Sequence, residues 1–221
     1  PGIQALLRIA GKNPARLVAT DLGFALGPRL NAAGRLDDIS LGIQCLLTDD
    51  PEEAMTTARA LDELNQDRKS IEQDMQREAL TIVEKLVLGT DTELPSALCL
   101  FQPDWHQGVV GLLASRIKEK YHRPVVAFAR GDSGELKGSS RSIPGLHIRD
   151  ALDAVATQNP GLITKFGGHA MAAGLSLVEG NLAAFEQAFQ DQVAKSLGED
   201  DLQAKLVTDG SLENHQLNIQ T

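Results

Sequence analysis

The chain has 221 residues, 42% of them hydrophobic, with 21 Lys+Arg against 30 Asp+Glu and a formal net charge of −9. This length suits one large domain or two small ones. No apolar run approaches the roughly 20 residues that cross a bilayer, and Pro1-Gly2-Ile3 opens without the basic region and apolar core of a signal peptide. The acidic total argues against nucleic acid, but its distribution does not. Residues 1–48 carry five Lys/Arg against three Asp/Glu, residues 90–178 nine against eight with four of the five histidines, and the rest seven against nineteen. A local anion site is compatible with that pattern.

Residues 3–10 read as a helix, and 15–47 as short helix mixed with a loop rich in Gly, Asn and Arg. Residues 51–88 form the clearest element. Asp49 and Asp50 can cap it, Pro51 suits the first helical position, Glu52 and Glu53 favour its positive end, and Lys85 and Gly89 mark its finish. At about 1.5 Å per residue it spans roughly 55 Å. Its apolar stripe (Leu61, Leu64, Ile71, Met75, Ile82) is broken by Arg68 and Glu78, which suits a connector braced against two lobes.

Beyond it the pattern turns α/β. Strands are expected at 96–102 and 124–129 around a helix at 107–122, a parallel βαβ unit. A turn at Gly131-Asp132-Ser133-Gly134 leads into a strand over 135–142. A helix at 148–158, a strand at 172–178 and a helix at 181–197 follow, and Leu206–Thr221 begins a further strand. Cys45 and Cys99 sit in apolar runs and read as buried free thiols, in keeping with a reducing cytoplasm.

Four segments carry chemistry. In Gly27-Pro28-Arg29-Leu30-Asn31-Ala32-Ala33-Gly34-Arg35-Leu36-Asp37-Asp38, Arg29, Asn31 and Arg35 are suited to phosphate oxygens, because guanidinium is a rigid fork of donors. The competing reading is a loop pinned by Arg–Asp pairs to Asp37 or Asp38. In Asp104-Trp105-His106-Gln107-Gly108-Val109-Val110-Gly111, His106 and Gln107 stand at the mouth of a helix, where free N–H groups attract anions. Trp105 there is either a stacking platform or core. In the strand Leu136-Lys137-Gly138-Ser139-Ser140-Arg141-Ser142, alternation puts Lys137, Ser139 and Arg141 on one face as a phosphate ladder; the alternative is a charged edge strand. In Phe166-Gly167-Gly168-His169-Ala170-Met171-Ala172-Ala173-Gly174, backbone at Gly167 and Gly168 can wrap a ligand with His169 as donor, or else form a glycine turn. The histidines lack metal-ligand spacing and there is no Asp-x-Asp cluster.

Taken together these segments resemble the RecJ-type single-strand-specific DNA exonucleases of the DHH/DHHA1 phosphoesterase superfamily. Gly167-Gly168-His169 with Ala172-Ala173-Gly174 is similar to the DHHA1 signature, as are Trp105–Gly111 and Gly138–Ser142. Pro28–Arg35 resembles the last motif of the DHH domain, Leu61-Asp62-Glu63-Leu64-Asn65 with Arg68 resembles the linker helix, and Val207-Thr208-Asp209-Gly210 resembles the start of an OB-fold. The resemblance implies a DHHA1-type mixed sheet flanked by helices, preceded by a long linker helix and the C-terminal end of a DHH domain. It divides the chain into 1–50 (DHH remnant), 51–89 (connector), 90–200 (DHHA1) and 201–221 (OB-like start). It implies 5′→3′ exonuclease activity on single-stranded DNA with a 5′ end, dependent on Mn²⁺ or Mg²⁺, with repair or recombination proteins as partners, and no membrane. Ser139 and Arg141 would hold the 5′ phosphate, Arg29 or Arg35 would face the scissile phosphate, and His169 with its glycines would line the cleft. The family's metal motifs are absent here, so no metal is expected on this segment and no nuclease activity from it alone.

Overall fold

The computed structural model describes residues 1–88, 94–131, 134–208 and 210–211. It begins with α1 (Gly2–Ile9), followed by a short turn of helix α2 (Ala19–Asp21), a π-helical turn at Leu22–Leu26, α3 (Gly27–Leu36) and α4 (Ser40–Leu47). The segment read as a loop from its Gly, Asn and Arg content is therefore helical: α3 runs straight out of the π-turn, whose Leu22 carbonyl accepts from the Gly27 N–H. Pro28 is tolerated because it occupies the first turn.

Helix α5 (Pro51–Leu88) has 38 residues. Asp50 caps it, its Oδ1 accepting from the Glu52 N–H at 2.9 Å. The helix serves two cores. Ala54, Ala58 and Leu61 pack with α1, α3 and α4, whereas Met75, Ala79 and Val83 pack under the second lobe. Between these stretches Asn65 and Glu72 are buried. There Arg68 donates to Asn65 Oδ1 at 3.0 Å and to Glu72 Oε2 at 2.6 Å, and Arg116 donates to Glu72 Oε1 at 3.2 Å. The interruption of the apolar stripe at Arg68 thus marks the handover from one core to the other.

The second lobe is built on β1 (Leu98–Phe101), α6 (Val110–Tyr121), β2 (Val125–Arg130), β3 (Glu135–Arg141), α7 (Ile148–Gln158), β4 (Lys165–Gly168), β5 (Ala172–Val178) and α8 (Leu182–Ser196). The strand order is β1-β2-β3-β5-β4, with β1 and β2 parallel and the other pairs antiparallel. This is the mixed sheet expected. Strand β4 was not anticipated. Its Lys-Phe-Gly-Gly sequence has little β propensity, and pairing with β5 makes it a strand. The Gly167-Gly168 pair therefore lies on an edge strand.

One face of the sheet (Val126, Phe128, Leu136, Leu175, Leu177) is covered by α7 and α8. Gly138 is required there, because a Cβ would fall 2.6 Å from the Phe128 ring. The opposite face is covered over β1 and β2 by α6 and the end of α5. There α6 also reaches the Arg141 end of β3; over the rest of β3 and over β5 and β4 that face is open. Cys45 is buried and Cys99 half-buried, both free, and burial pushes both thiols up. The expected final strand lies largely outside the described residues; no strand occurs at 204–208. Among the described residues no helix is long and apolar enough to cross a membrane.

Candidate nucleic-acid interface

The β3 ladder places Lys137, Ser139 and Arg141 on the open face, with Leu136, Gly138 and Ser140 buried behind them. Arg141 is held in place from two elements. Its Nε donates to Ser115 Oγ on α6 at 3.1 Å, and its Nη1 donates to Ser139 Oγ at 3.1 Å and to the Ser140 carbonyl at 2.8 Å. None of these acceptors carries charge. Its Nη2 makes no hydrogen bond among the described residues. Burial, and then repulsion from the nearby Arg35 guanidinium, lower the Arg141 pKa.

Arg35 arrives from the other lobe, at the end of α3. Its Nη1 donates to the Gly108 carbonyl at 3.1 Å. Its backbone carbonyl is so close to Gly108 that a Cβ there would lie 2.1 Å away. Gly108 is thus the hinge point of the site. Its carbonyl is taken by Arg35 and its N–H donates to His106 Nδ1 at 3.1 Å. With Nδ1 accepting, a neutral His106 carries its proton on Nε2. Gly111, in the first turn of α6, leaves room for the guanidinium: a Cβ would stand 3.0 Å from both Arg141 Nη2 and Ser139 Oγ.

Arg35, His106, Ser139 and Arg141 are therefore brought together. Neither arginine has a carboxylate partner among the described residues. Two neighbouring cations, held by neutral acceptors near a helix N-terminus, have the chemistry to receive an anion. Gly167 pairs with Gly174, and Gly174 with Ser139, so all three share the open face. Gly168 (φ 149°) is confined to glycine, since a Cβ would meet Ala173 Cα at 2.4 Å. His169 is exposed, and its N–H donates to the Ala172 carbonyl at 2.8 Å, opposite Arg141.

Other expected residues stand apart. Arg29 turns into the connector, where its Nη2 lies 2.8 Å from Asp62 Oδ1, its Nη1 donates to the Ala25 carbonyl at 2.6 Å and its Nε is buried with no hydrogen-bond partner among the described residues. The arginines do not pair with Asp37 or Asp38; Asp38 Oδ1 accepts from the Ser40 N–H at 2.8 Å instead. Asn31 and Gln107 are exposed and make no side-chain hydrogen bond among the described residues. Lys137 Nζ sits 2.6 Å from Glu135 Oε1. Trp105 is core, 4% exposed, its Nε1 donating to Glu78 Oε2 at 2.7 Å. Glu78, the other break in the helix stripe, thereby gains a role. Ser115 is the residue that sequence reasoning missed, and Gly111 was quoted only as the end of a motif. Their one signal is the small i,i+4 pair in the apolar first half of α6, which means little without the Arg141 opposite. Among the described residues no group of three or more His, Cys, Asp or Glu could hold a metal, so these side chains offer no cage for a divalent ion.

Residues 94–195 match the model of the DHHA1 domain. The chain is 56% identical over 220 residues to the single-stranded-DNA-specific exonuclease RecJ of Escherichia coli, covering 100% of this chain and 38% of that protein. It is 34% identical over 177 residues to RecJ of Thermus thermophilus, covering 80% of this chain and 24% of that one. The crystal structure of Thermus thermophilus RecJ in complex with Mg²⁺ matches with a TM-score of 0.73 at 31% identity, over 88% of this chain and 28% of that one. An exonuclease RecJ bound to manganese matches with a TM-score of 0.73 at 32% identity, over 88% and 45%. The chain thus spans 38% of the length of its Escherichia coli and Salmonella typhimurium relatives.

Proposed function

The chain belongs to the RecJ family of single-stranded-DNA-specific exonucleases, and on that premise we propose that it supplies the strand-end-binding surface of a metal-dependent 5′→3′ exonuclease acting in recombination and repair. Arg35, Ser139 and Arg141 hold the terminal 5′ phosphate, with His106 beside them. Gly167, Gly168 and His169 line the path of the strand. Residues 1–50 complete a metal-binding lobe, 51–89 join it to the DHHA1 lobe, and 201–221 lead into an OB-like domain. Mg²⁺ or Mn²⁺, held by residues outside those described, supplies the hydrolytic chemistry.

One observation carries this reading: Arg35 and Arg141, from different lobes, lie close together, and neither pairs with a carboxylate among the described residues. Such a pair favours the most highly charged anion on the strand. A terminal phosphate carries close to two charges at pH 7, since its second pKa is about 6, whereas an internal phosphodiester carries one. The site therefore selects ends over interiors. The open sheet floor, paved with glycine, admits unpaired backbone.

The test is binding of a labelled single-stranded oligonucleotide, with and without a 5′ phosphate, to the wild type and to Arg141→Ala. The wild type should prefer the phosphorylated strand. Loss of a charge-assisted bond of about 1.5–3 kcal/mol should weaken that strand roughly 10- to 100-fold. Equal binding of both strands, or indifference to Arg141, would remove the phosphate from this site.

A further inference from the structure

Two serine hydroxyls accept from the Arg141 guanidinium, and they differ in where their own protons go. Ser115 Oγ accepts from Nε at 3.1 Å and donates to the Gly111 carbonyl at 3.2 Å, one helical turn back. Ser139 Oγ accepts from Nη1 at 3.1 Å and donates to no acceptor among the described residues. A hydroxyl has one proton to give and two lone pairs to receive with. The Ser115 proton is therefore committed inside α6, and its oxygen meets the guanidinium as an acceptor alone. The Ser139 proton is left for a ligand.

The same count applies to the guanidinium, which carries five N–H donors in one rigid plane. Nε goes to Ser115, and Nη1 goes to Ser139 Oγ and to the Ser140 carbonyl at 2.8 Å. Two donors remain, both on Nη2, beside Gly111, where an added Cβ would stand 3.0 Å away. The acceptors of Nη1 belong to β3 itself and hold one corner of the fork. Among the described residues Ser115 is the acceptor that reaches Arg141 from outside β3, and it holds a second corner. A long Arg side chain has much rotamer freedom to lose, and two fixed corners remove most of it.

Folding does not explain a serine at this place. Within a helix Ser is a poorer choice than Ala, and its bond to the carbonyl four residues back is slightly destabilising. The buried face of α6 consists of Val110, Leu113, Ala114 and Ile117, and Ser115 lies off that face. Its acceptor is also uncharged, so it fixes the guanidinium without neutralising it.

We propose that Ser115 is a positioning residue for the terminal phosphate. It does not touch the phosphate; it locks the Arg141 fork so that the two Nη2 donors, together with the Ser139 hydroxyl, are left to the anion. Gly111 serves the same contact twice, through the carbonyl that orients the Ser115 hydroxyl and through the missing side chain that leaves room for Nη2. This inference rests on the assignment of the 5′ phosphate to Arg141.

The quantity that tests it is the affinity ratio of 5′-phosphorylated to unphosphorylated single-stranded oligonucleotide. The proteins are the wild type, Ser115→Ala, Ser115→Thr, Arg141→Ala and the variant carrying both Ser115→Ala and Arg141→Ala. Each ratio is taken within one protein, so a loss of folded protein cancels from it. Ser115→Ala should lower the ratio about fivefold, as the loss of one hydrogen bond does. Threonine can make the same bond to the carbonyl four residues back, so Ser115→Thr should restore the ratio. With Arg141 already replaced, Ser115→Ala should change the affinity for the phosphorylated strand no further, because it acts only through that guanidinium. A ratio unchanged in Ser115→Ala, a threonine variant no better than alanine, or an equal loss in the Arg141→Ala background overturns the positioning role and leaves the Arg141 assignment standing. A ratio indifferent to Arg141→Ala overturns both.

Discussion

Gly111 and Gly108 do different work within four residues of each other. At Gly111 an added Cβ meets only the ends of the Arg141 and Ser139 side chains, at 3.0 Å, which can swing away. At Gly108 it meets the Arg35 backbone at 2.1 Å, which cannot. Alanine is worth up to about 1 kcal/mol over glycine within a helix. Gly111→Ala should therefore keep or raise the melting temperature while weakening binding of a 5′-phosphorylated strand several-fold. Melting and binding measured on one preparation separate the two effects; a variant that loses stability, or binds as the wild type does, would show that Gly111 is not making room for the guanidinium. The arginines divide in the same way. Arg29 is matched by Asp62 at 2.8 Å and serves as a brace, whereas Arg35 has only a carbonyl. Sequence could not separate them, because the decisive Asp62 is on another helix.

At the scale of elements, the handover on α5 governs how the lobes are joined. Glu72 is 8% exposed and receives Arg68 from its own helix and Arg116 from α6. Arg68 Nε is already buried with no hydrogen-bond partner among the described residues. Removing the carboxylate charge leaves a buried guanidinium uncompensated, which costs about 3 kcal/mol or more. Glu72→Gln should lower the unfolding free energy by that order in urea titration; a change within about 0.5 kcal/mol would place the network among neutral surface pairs. Long periodic elements were legible from sequence: α5, α7 and β5 are found where capping and alternation place them. Two elements were misread for a common reason. Segment Gly27–Leu36 fell in a stretch read as short helix mixed with a loop rich in Gly, Asn and Arg, but packing against α5 keeps it helical. Strand β4 looked like a turn because Gly167 and Gly168 are poor strand formers, but its ladder with β5 overrides them. Tertiary partners won over local propensity in both cases. The candidate site was half legible: alternation gave the face of Lys137, Ser139 and Arg141, while Ser115 and the room that Gly111 leaves for the guanidinium emerged only once strand and helix were set against each other.

At the scale of the molecule, a net charge of −9 coexists with a local anion site. The acid lies mainly on α5 and in the C-terminal tail, and Arg35 and Arg141, neither with a carboxylate partner among the described residues, come near each other where the end of α3 meets Gly108 ahead of α6. Neither lobe holds this pair alone; contact at Gly108 assembles it. A terminal phosphate shared by Arg35 and Arg141 across that contact would couple the two side chains, which a double-mutant cycle measures. The quantity measured is the affinity ratio of 5′-phosphorylated to unphosphorylated single strand, for the wild type, Arg35→Ala, Arg141→Ala and the double variant. If the phosphate is shared, each single change should remove most of the preference and the double change little more, a coupling of about 1 kcal/mol or greater. Additive losses, or a preference unchanged by Arg35→Ala, would contradict a phosphate held between the lobes.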